Sequence, residues 1–332
     1  MRLILTTAAA LIAAHAGTAT EPTEKAVRTA VTKALPRLWD GIDGHTERRS
    51  CFTCHSHAVP LVALTIARDR GFAVDAKKLA AQVDFALKDY EALRPRAKGT
   101  DLPVGGGVDN TGYATFALSA LGVKPNKTTE MLAQYTLGSQ AKNDHWGRGS
   151  GRFPSQASSF TTTYLSMHSL REYGAAADAE KIEARIARAR EWLTKTPAKD
   201  TEDRVFRLLA LRLAGGTEAE LKPVRQDLLD TQRPDGGFAQ TEKMDSDAYA
   251  TGTALYALHR GGQVKTSDAA YRKGLAFLLT TQKDDGTWHV KTHSRPVQRF
   301  FESGFPYGKD QFISCAATGW ATAALALSVT PK

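Results

Sequence analysis

A chain of 332 residues, 42% hydrophobic and 24% charged, can bury a sizeable core, and its composition excludes disordered and fibrous classes. The net charge of +9 is spread along the chain, with RPRAK and ERR as the only basic clusters. A solvated surface is therefore expected and no nucleic-acid binding, while an acidic redox partner or peripheral contact with an anionic membrane surface stays open. Three cysteines, Cys51, Cys54 and Cys315, are too few for a disulfide-stapled secreted fold.

In chain order, residues 1–19 read as a cleaved signal peptide directing the protein to the periplasm. Arg2 supplies the positive end and Leu3 to Ala14 a short apolar stretch. Ala14-His15-Ala16 or Gly17-Thr18-Ala19 offers the small-residue cleavage site; an uncleaved anchor is the alternative. The mature region, 20–332, alternates two kinds of helix. Amphipathic segments fall at Glu21–Trp39, Asp75–Leu93, Thr128–Gln140, Asp178–Thr196, Glu218–Thr231 and Ser267–Thr281. Between them recur six segments that are apolar nearly all round and rich in Ala, Gly, Ser and Thr. They begin near Cys51, Asp109, Ser158, Thr201, Ser246 and Ser314, each with a polar start suited to a helix cap and most with a glycine at the end. The last, CAATGWATAALALSV, is too short to span a bilayer, so no transmembrane segment is expected in the mature chain.

A helix apolar on all sides has to be covered on all sides. The pattern therefore predicts an all-α fold, a single-domain (α/α)6 toroid with six inner helices wrapped by six outer ones; an unclosed solenoid is the alternative. Small residues on the inner helices would keep a central space open, lined by Tyr113, Phe116, Phe160, Tyr164, Phe206, Tyr249, Tyr256 and Trp320 unless these are plain core. Outer-to-inner connections at 94–108, 141–157, 233–245 and 282–313 are long, and the return connections are short. All the long loops then lie at one mouth of the ring, where function is expected.

Three outer helices end in glutamine with an aromatic six residues later: Gln140 and Trp146, Gln232 and Phe238, Gln282 and Trp288. This resembles the QW repeat of the α/α-toroid superfamily of squalene–hopene cyclases and prenyltransferases, strongly at TQRPDGGF and TTQKDDGTW and weakly at Gln140. The chain also resembles exported bacterial toroid proteins with an N-terminal CxxCH. The resemblance implies the fold and an isoprenoid- or lipid-handling role as cyclase-like enzyme, prenyltransferase-like enzyme or carrier. Squalene–hopene cyclases protonate an alkene with a DxDD aspartate. Here the nearest match, Asp245-Ser246-Asp247-Ala248, lacks the last acid, and Asp247 reads first as a helix cap.

Cys51, Cys54 and His55 make a CxxCH at the first inner helix. On a helix both thiols share a face and suit thioethers to the vinyl groups of haem c, with His55 as proximal iron ligand. The first reading is an exported c-type haem protein, redox-active or ligand-binding at the mouth. His289 or His293, and more weakly His57, His145 and Met244, are distal candidates. The alternative cofactor is zinc, held by Cys51, Cys54, His55 and Cys315 if the ring brings its first and sixth inner helices together, and a disulfide is the remaining option. The long loop 282–313 adds His289, His293, Arg295, Arg299, Glu302, Tyr307, Lys309 and Asp310. Whether the protein is an enzyme stays open. Asp245, Asp247, His289, His293, Glu302, Tyr307 and Asp310 are the catalytic candidates. Expected partners are a redox protein or a small apolar, isoprenoid ligand, and a protein-binding scaffold is a further alternative.

Overall fold

The computed structural model of the chain describes residues 21–97, 102–139, 144–296 and 299–331. The expected signal peptide at 1–19 and the Gln140 clamp lie outside these residues. Within these residues twelve α-helices follow in order: α1 (Glu24–Arg48), α2 (Val59–Asp69), α3 (Ala76–Glu91), α4 (Gly107–Ala120), α5 (Lys127–Gly138), α6 (Ser159–Tyr173), α7 (Ala179–Lys195), α8 (Thr201–Leu213), α9 (Glu218–Leu229), α10 (Ala248–Arg260), α11 (Ala269–Thr281) and α12 (Gln311–Leu327). A short antiparallel ladder, Phe238–Ala239 against Ser246–Asp247, precedes α10. Among the described residues no helix is long and apolar enough to cross a membrane.

The even-numbered helices form the inner ring, each packed on the next, and α12 returns to pack on α2. That contact closes the toroid. It needs a glycine: a Cβ at Gly319 would lie 2.8 Å from Val59 Cγ1 and 3.2 Å from the Val59 carbonyl carbon. The amphipathic odd-numbered helices form the outer layer. Their stripes are short, as in α7, where Ile182, Ile186, Ala189 and Leu193 are buried, Trp192 packs at the stripe's edge, and most of the rest faces solvent.

The glutamine–aromatic pairs tie adjacent hairpins together. Gln282 Nε2 donates to the carbonyls of Ala30 and Gly286, linking the end of α11 to α1 across the closure, and Gln232 Nε2 does the same to Ala270 and Gly236. Trp288 and Trp146 each donate an indole N–H to a carbonyl near the end of their own outer helix, Leu278 and Thr136. These residues hold helix ends, each bond contributing about 1 kcal/mol.

Four expectations change. The helix α1 runs to Arg48 rather than ending at Trp39. The first inner helix is preceded by a π-helical turn, Cys54–Ala58, and α12 starts at Gln311, three residues before Ser314. The centre is not an open tunnel. The eight inner aromatics named above are at most 7% exposed and pack on one another, as in Phe116–Tyr164, Tyr164–Phe206 and Tyr256–Trp320 at 5.9, 5.6 and 5.1 Å between ring centres.

Candidate functional site

The CxxCH segment sits at the mouth, as its position before the first inner helix requires. Residues Arg49 to Thr53 are drawn out of helix. Phe52 N–H donates to Asp89 Oδ2 at 3.0 Å and Asn110 Nδ2 donates to the Phe52 carbonyl at 3.2 Å, while the Phe52 ring stacks on His57. The chain is extended at Thr53, whose hydroxyl accepts from Ser56 N–H and whose carbonyl accepts from Ala58 N–H, opening the wide π turn. Such turns cluster at functional sites.

One consequence corrects the sequence reading. Cys51 precedes the helical turn and is exposed, whereas Cys54 is buried, so the two thiols do not share a helical face. All three cysteines are unpaired. Cys315 points toward α1, where a Cβ at Gly41 would meet its Sγ at 2.6 Å. Among the described residues no group of three or more His, Cys, Asp or Glu side chains is placed to hold a metal ion, so this geometry does not fit a zinc site built on Cys51, Cys54, His55 and Cys315. Burial raises the thiol pKa of Cys54 and most strongly of Cys315.

Three histidines meet beside these thiols. His45, near the end of α1, lies edge-on to His57 at 4.9 Å and to His55 at 6.2 Å between ring centres. Its Nε2 faces Cys51 Sγ at 3.9 Å, and His55 Nδ1 faces Cys54 Sγ at 3.5 Å. His57 is satisfied by Thr46 and Thr53 hydroxyls, each at 3.2 Å. Burial depresses all three: His45 to about 4, His57 to about 3, and His55 well below the usual range with the Arg152 charge adding to the effect. All three rings are neutral at pH 7. His55 Nε2 and His45 Nδ1 are buried with no hydrogen-bond partner among the described residues. Sequence reading missed His45, although it continues the stripe Val27, Val31, Leu38, Ile42.

His55 also forms part of the floor of a cavity of about 320 Å³ at the mouth. Phe312, Ile313 and Ala316 of α12 complete the floor. The walls come from two long loops: Arg152, Phe153 and Ser155 from one, and Thr292, Ser294, Arg295, Pro296, Phe300 and Lys309 from the other. Among the described residues three cations line this space and no acid does. The first loop is held by Asp109, which accepts from Gly149 N–H at 2.7 Å and Thr162 Oγ1 at 2.5 Å, and by Tyr113 Oη donating to the Ser155 carbonyl. Burial pushes the Asp109 carboxyl up to about 6.

Most of the loop candidates hold the second wall rather than line the cavity. Asp310 bonds His289 Nε2 at 2.8 Å and accepts from Thr292 N–H at 2.9 Å; Tyr307 stacks on His289 and bonds the Thr287 hydroxyl. Glu302 is exposed. His293 lies against Phe153 and bonds Gln240 Oε1 at 2.7 Å. Asp245 is exposed, and Asp247 caps α10 by accepting from Ala250 N–H while also accepting from Gln240 Nε2, both at 2.9 Å. Burial raises its pKa to about 6, but neither aspartate lines the mouth cavity. His145 is stacked on Trp192, and Met244 sits in the loop before α10, neither of them lining the cavity.

No protein-family model matches the sequence. The structure is similar to the type II terpene cyclase MstE from Scytonema in complex with merosterolic acid A, with a TM-score of 0.58 and 15% identity over 92% of this chain and 98% of that one. A second structure of that enzyme, with geranylgeranyl dihydroxybenzoate as substrate, matches with the same score, identity and coverage. The ent-copalyl diphosphate synthase from Streptomyces platensis matches with a TM-score of 0.54 and 18% identity over 83% of this chain and 51% of that one. The chain thus has the α/α-toroid fold found in type II terpene cyclases.

Proposed function

We propose that the mouth cavity binds an amphiphile of isoprenoid class, with an apolar body and an acidic head. The observation that carries this is the cavity's lining, in which Phe153, Phe300, Phe312 and Ile313 meet Arg152, Arg295 and Lys309 with no carboxylate among the described residues. An apolar pocket with a few convergent polar groups is the general form of a small-ligand site. The half-buried Arg152 gives a planar fork for a carboxylate or phosphate. A geranylgeranyl dihydroxybenzoate, bound by a protein of the same fold, has this chemistry. Asp247 is committed to its cap and to Gln240 and faces no such space, so the role argued here is holding a ligand rather than protonating an alkene.

Geranylgeranoic acid and geranylgeraniol separate head from tail. The acid is expected to bind about tenfold or more tightly than the alcohol. Arg152→Gln should erase that preference, and Ile313→Trp, which fills the floor, should weaken both. Equal affinity of the unmodified protein for acid and alcohol would sink the acidic-head assignment.

A second reading is favoured by one observation, the unpartnered Nε2 of buried His55 at the cavity floor, its Nδ1 facing the Cys54 thiol. Haem c has the same amphiphilic chemistry, a flat apolar ring with carboxylates. His55 would hold its iron and the exposed Cys51 would form a thioether. Cys54, buried and hydrogen-bonded to Ser155, would have to turn outward. Bound there, haem would supply one-electron or gas-binding chemistry. The reading requires export, as proposed from residues 1–19. Protein purified from its native periplasm should then carry the added mass of one haem and stain for it on a denaturing gel. An intact mass equal to the unmodified mature chain eliminates it.

A further inference from the structure

Among the described residues the exposed large hydrophobics are Phe153, 40% exposed, and Phe300, 47% exposed. A lone exposed phenylalanine is ordinary. Here both stand on the rim of one cavity, on different loops. Each loop leading to them is basic. Residues 148–153 hold Arg148 and Arg152 and no acid. Residues 291–300 hold Lys291, Arg295 and Arg299 and no acid; Glu302 follows two residues later. Arg148, Lys291, Arg295 and Arg299 are exposed. Lys309 adds a further cation to the rim, also exposed.

We infer that this mouth face docks on an anionic phospholipid bilayer, with Phe153 and Phe300 entering the interface and the flanking cations resting on the headgroups. Charge complementarity selects that occupant: apolar tips ringed by arginine and lysine are the form of a surface that binds acidic lipids reversibly. The pairing of apolar and basic groups on loops rather than on a helix is set by the toroid, which gathers its long loops at one end. The docked orientation also places the cavity opening against the bilayer, so an apolar ligand would pass from lipid to protein without crossing water. This inference does not depend on which ligand the cavity takes.

Co-sedimentation with large unilamellar vesicles tests it. The full mature protein is expected to bind phosphatidylcholine vesicles containing about one-third phosphatidylglycerol and to be released by salt. It should bind pure phosphatidylcholine at least about tenfold more weakly. Arg148→Gln/Lys291→Gln/Arg299→Gln changes three exposed cations that do not line the cavity. It should lower partitioning into the acidic vesicles by about tenfold or more, with geranylgeranoic acid binding in solution as the separate check on the cavity. Phe153→Ser/Phe300→Ser should lose partitioning at low salt, where attraction alone is strongest. Equal binding to neutral and acidic vesicles, or indifference to the phenylalanine change, overturns the inference. So does absence of vesicle binding by the unmodified protein, which would reassign the face to an acidic protein partner.

Discussion

Glu202, at the start of α8, is 5% exposed and accepts from Thr161 Oγ1 at 3.0 Å and Tyr249 Oη at 3.2 Å. Burial, with Asp200 nearby, pushes its pKa from 4.5 up to about 8. The folded protein therefore holds this proton more tightly than the unfolded chain does. The resulting stability is fully present below the unfolded value and is lost as pH rises through the folded one. Asp109 and Asp247, raised to about 6, complete that change lower in pH, and the depressed histidines act below their ordinary 6.5. Glu202 thus dominates from about pH 6.5 to 8. Denaturant unfolding should show a fall of about 1–2 kcal/mol across that window, which Glu202→Gln flattens while keeping the Thr161 and Tyr249 contacts. The same slope in both proteins would place the ionisation elsewhere.

At the level of the helix, period and punctuation carried most of the fold. Ser158 and Asp247 cap α6 and α10 as their polar type suggests, and outer stripes such as that of α7 were readable because one face alone is buried. What failed is instructive in the same terms. The sequence reading stopped the first helix at Trp39, yet α1 continues through Gly41 and Gly44, where other chain segments press close. A Cβ at Gly44 would lie 1.9 Å from the Ser303 carbonyl oxygen, and one at Gly41 would strike Cys315. Close approach and chain termination use the same residue, and only the tertiary partner tells them apart. The truncated reading of α1 hid His45. The mouth itself was legible from loop length, but Arg152, Phe153 and Phe312 were not. The cavity assembles residues from 55, 152, 295 and 312, and no local period links them. The CxxCH spacing promised a shared helical face, and the bonds from Asp89 and Asn110 to Phe52 remove Cys51 from the helix.

At the scale of the whole molecule, closure separates this protein from an open stack of helix pairs. In a stack each hairpin touches only its neighbours, so ends fray and unfolding can proceed piecewise. Here α12, apolar on every side, packs on α1, α2, α10 and α11, and joins the last hairpin to the first. Arg70 Nη1 adds a bond to the Val329 carbonyl at 2.8 Å, and Gln282 adds one to α1. A ring without free ends should melt as one unit, with calorimetric and van't Hoff enthalpies in agreement. Gly319→Leu tests the joint directly. Helix propensity favours leucine by about 1 kcal/mol, so a helix considered alone would gain. The new Cβ instead meets Val59 Cγ1 at 2.8 Å with Val59 and Pro60 backbone behind it, and neither helix can withdraw without parting the inner ring. Overpacking of this kind costs about 1–3 kcal/mol and outweighs the propensity gain. The variant should therefore lose stability and, with its seam loosened, show a van't Hoff enthalpy below the calorimetric one as the terminal hairpins unfold ahead of the rest. A variant that melts higher, in a single matched transition, would mean that the contact between α12 and α2 is incidental to the fold.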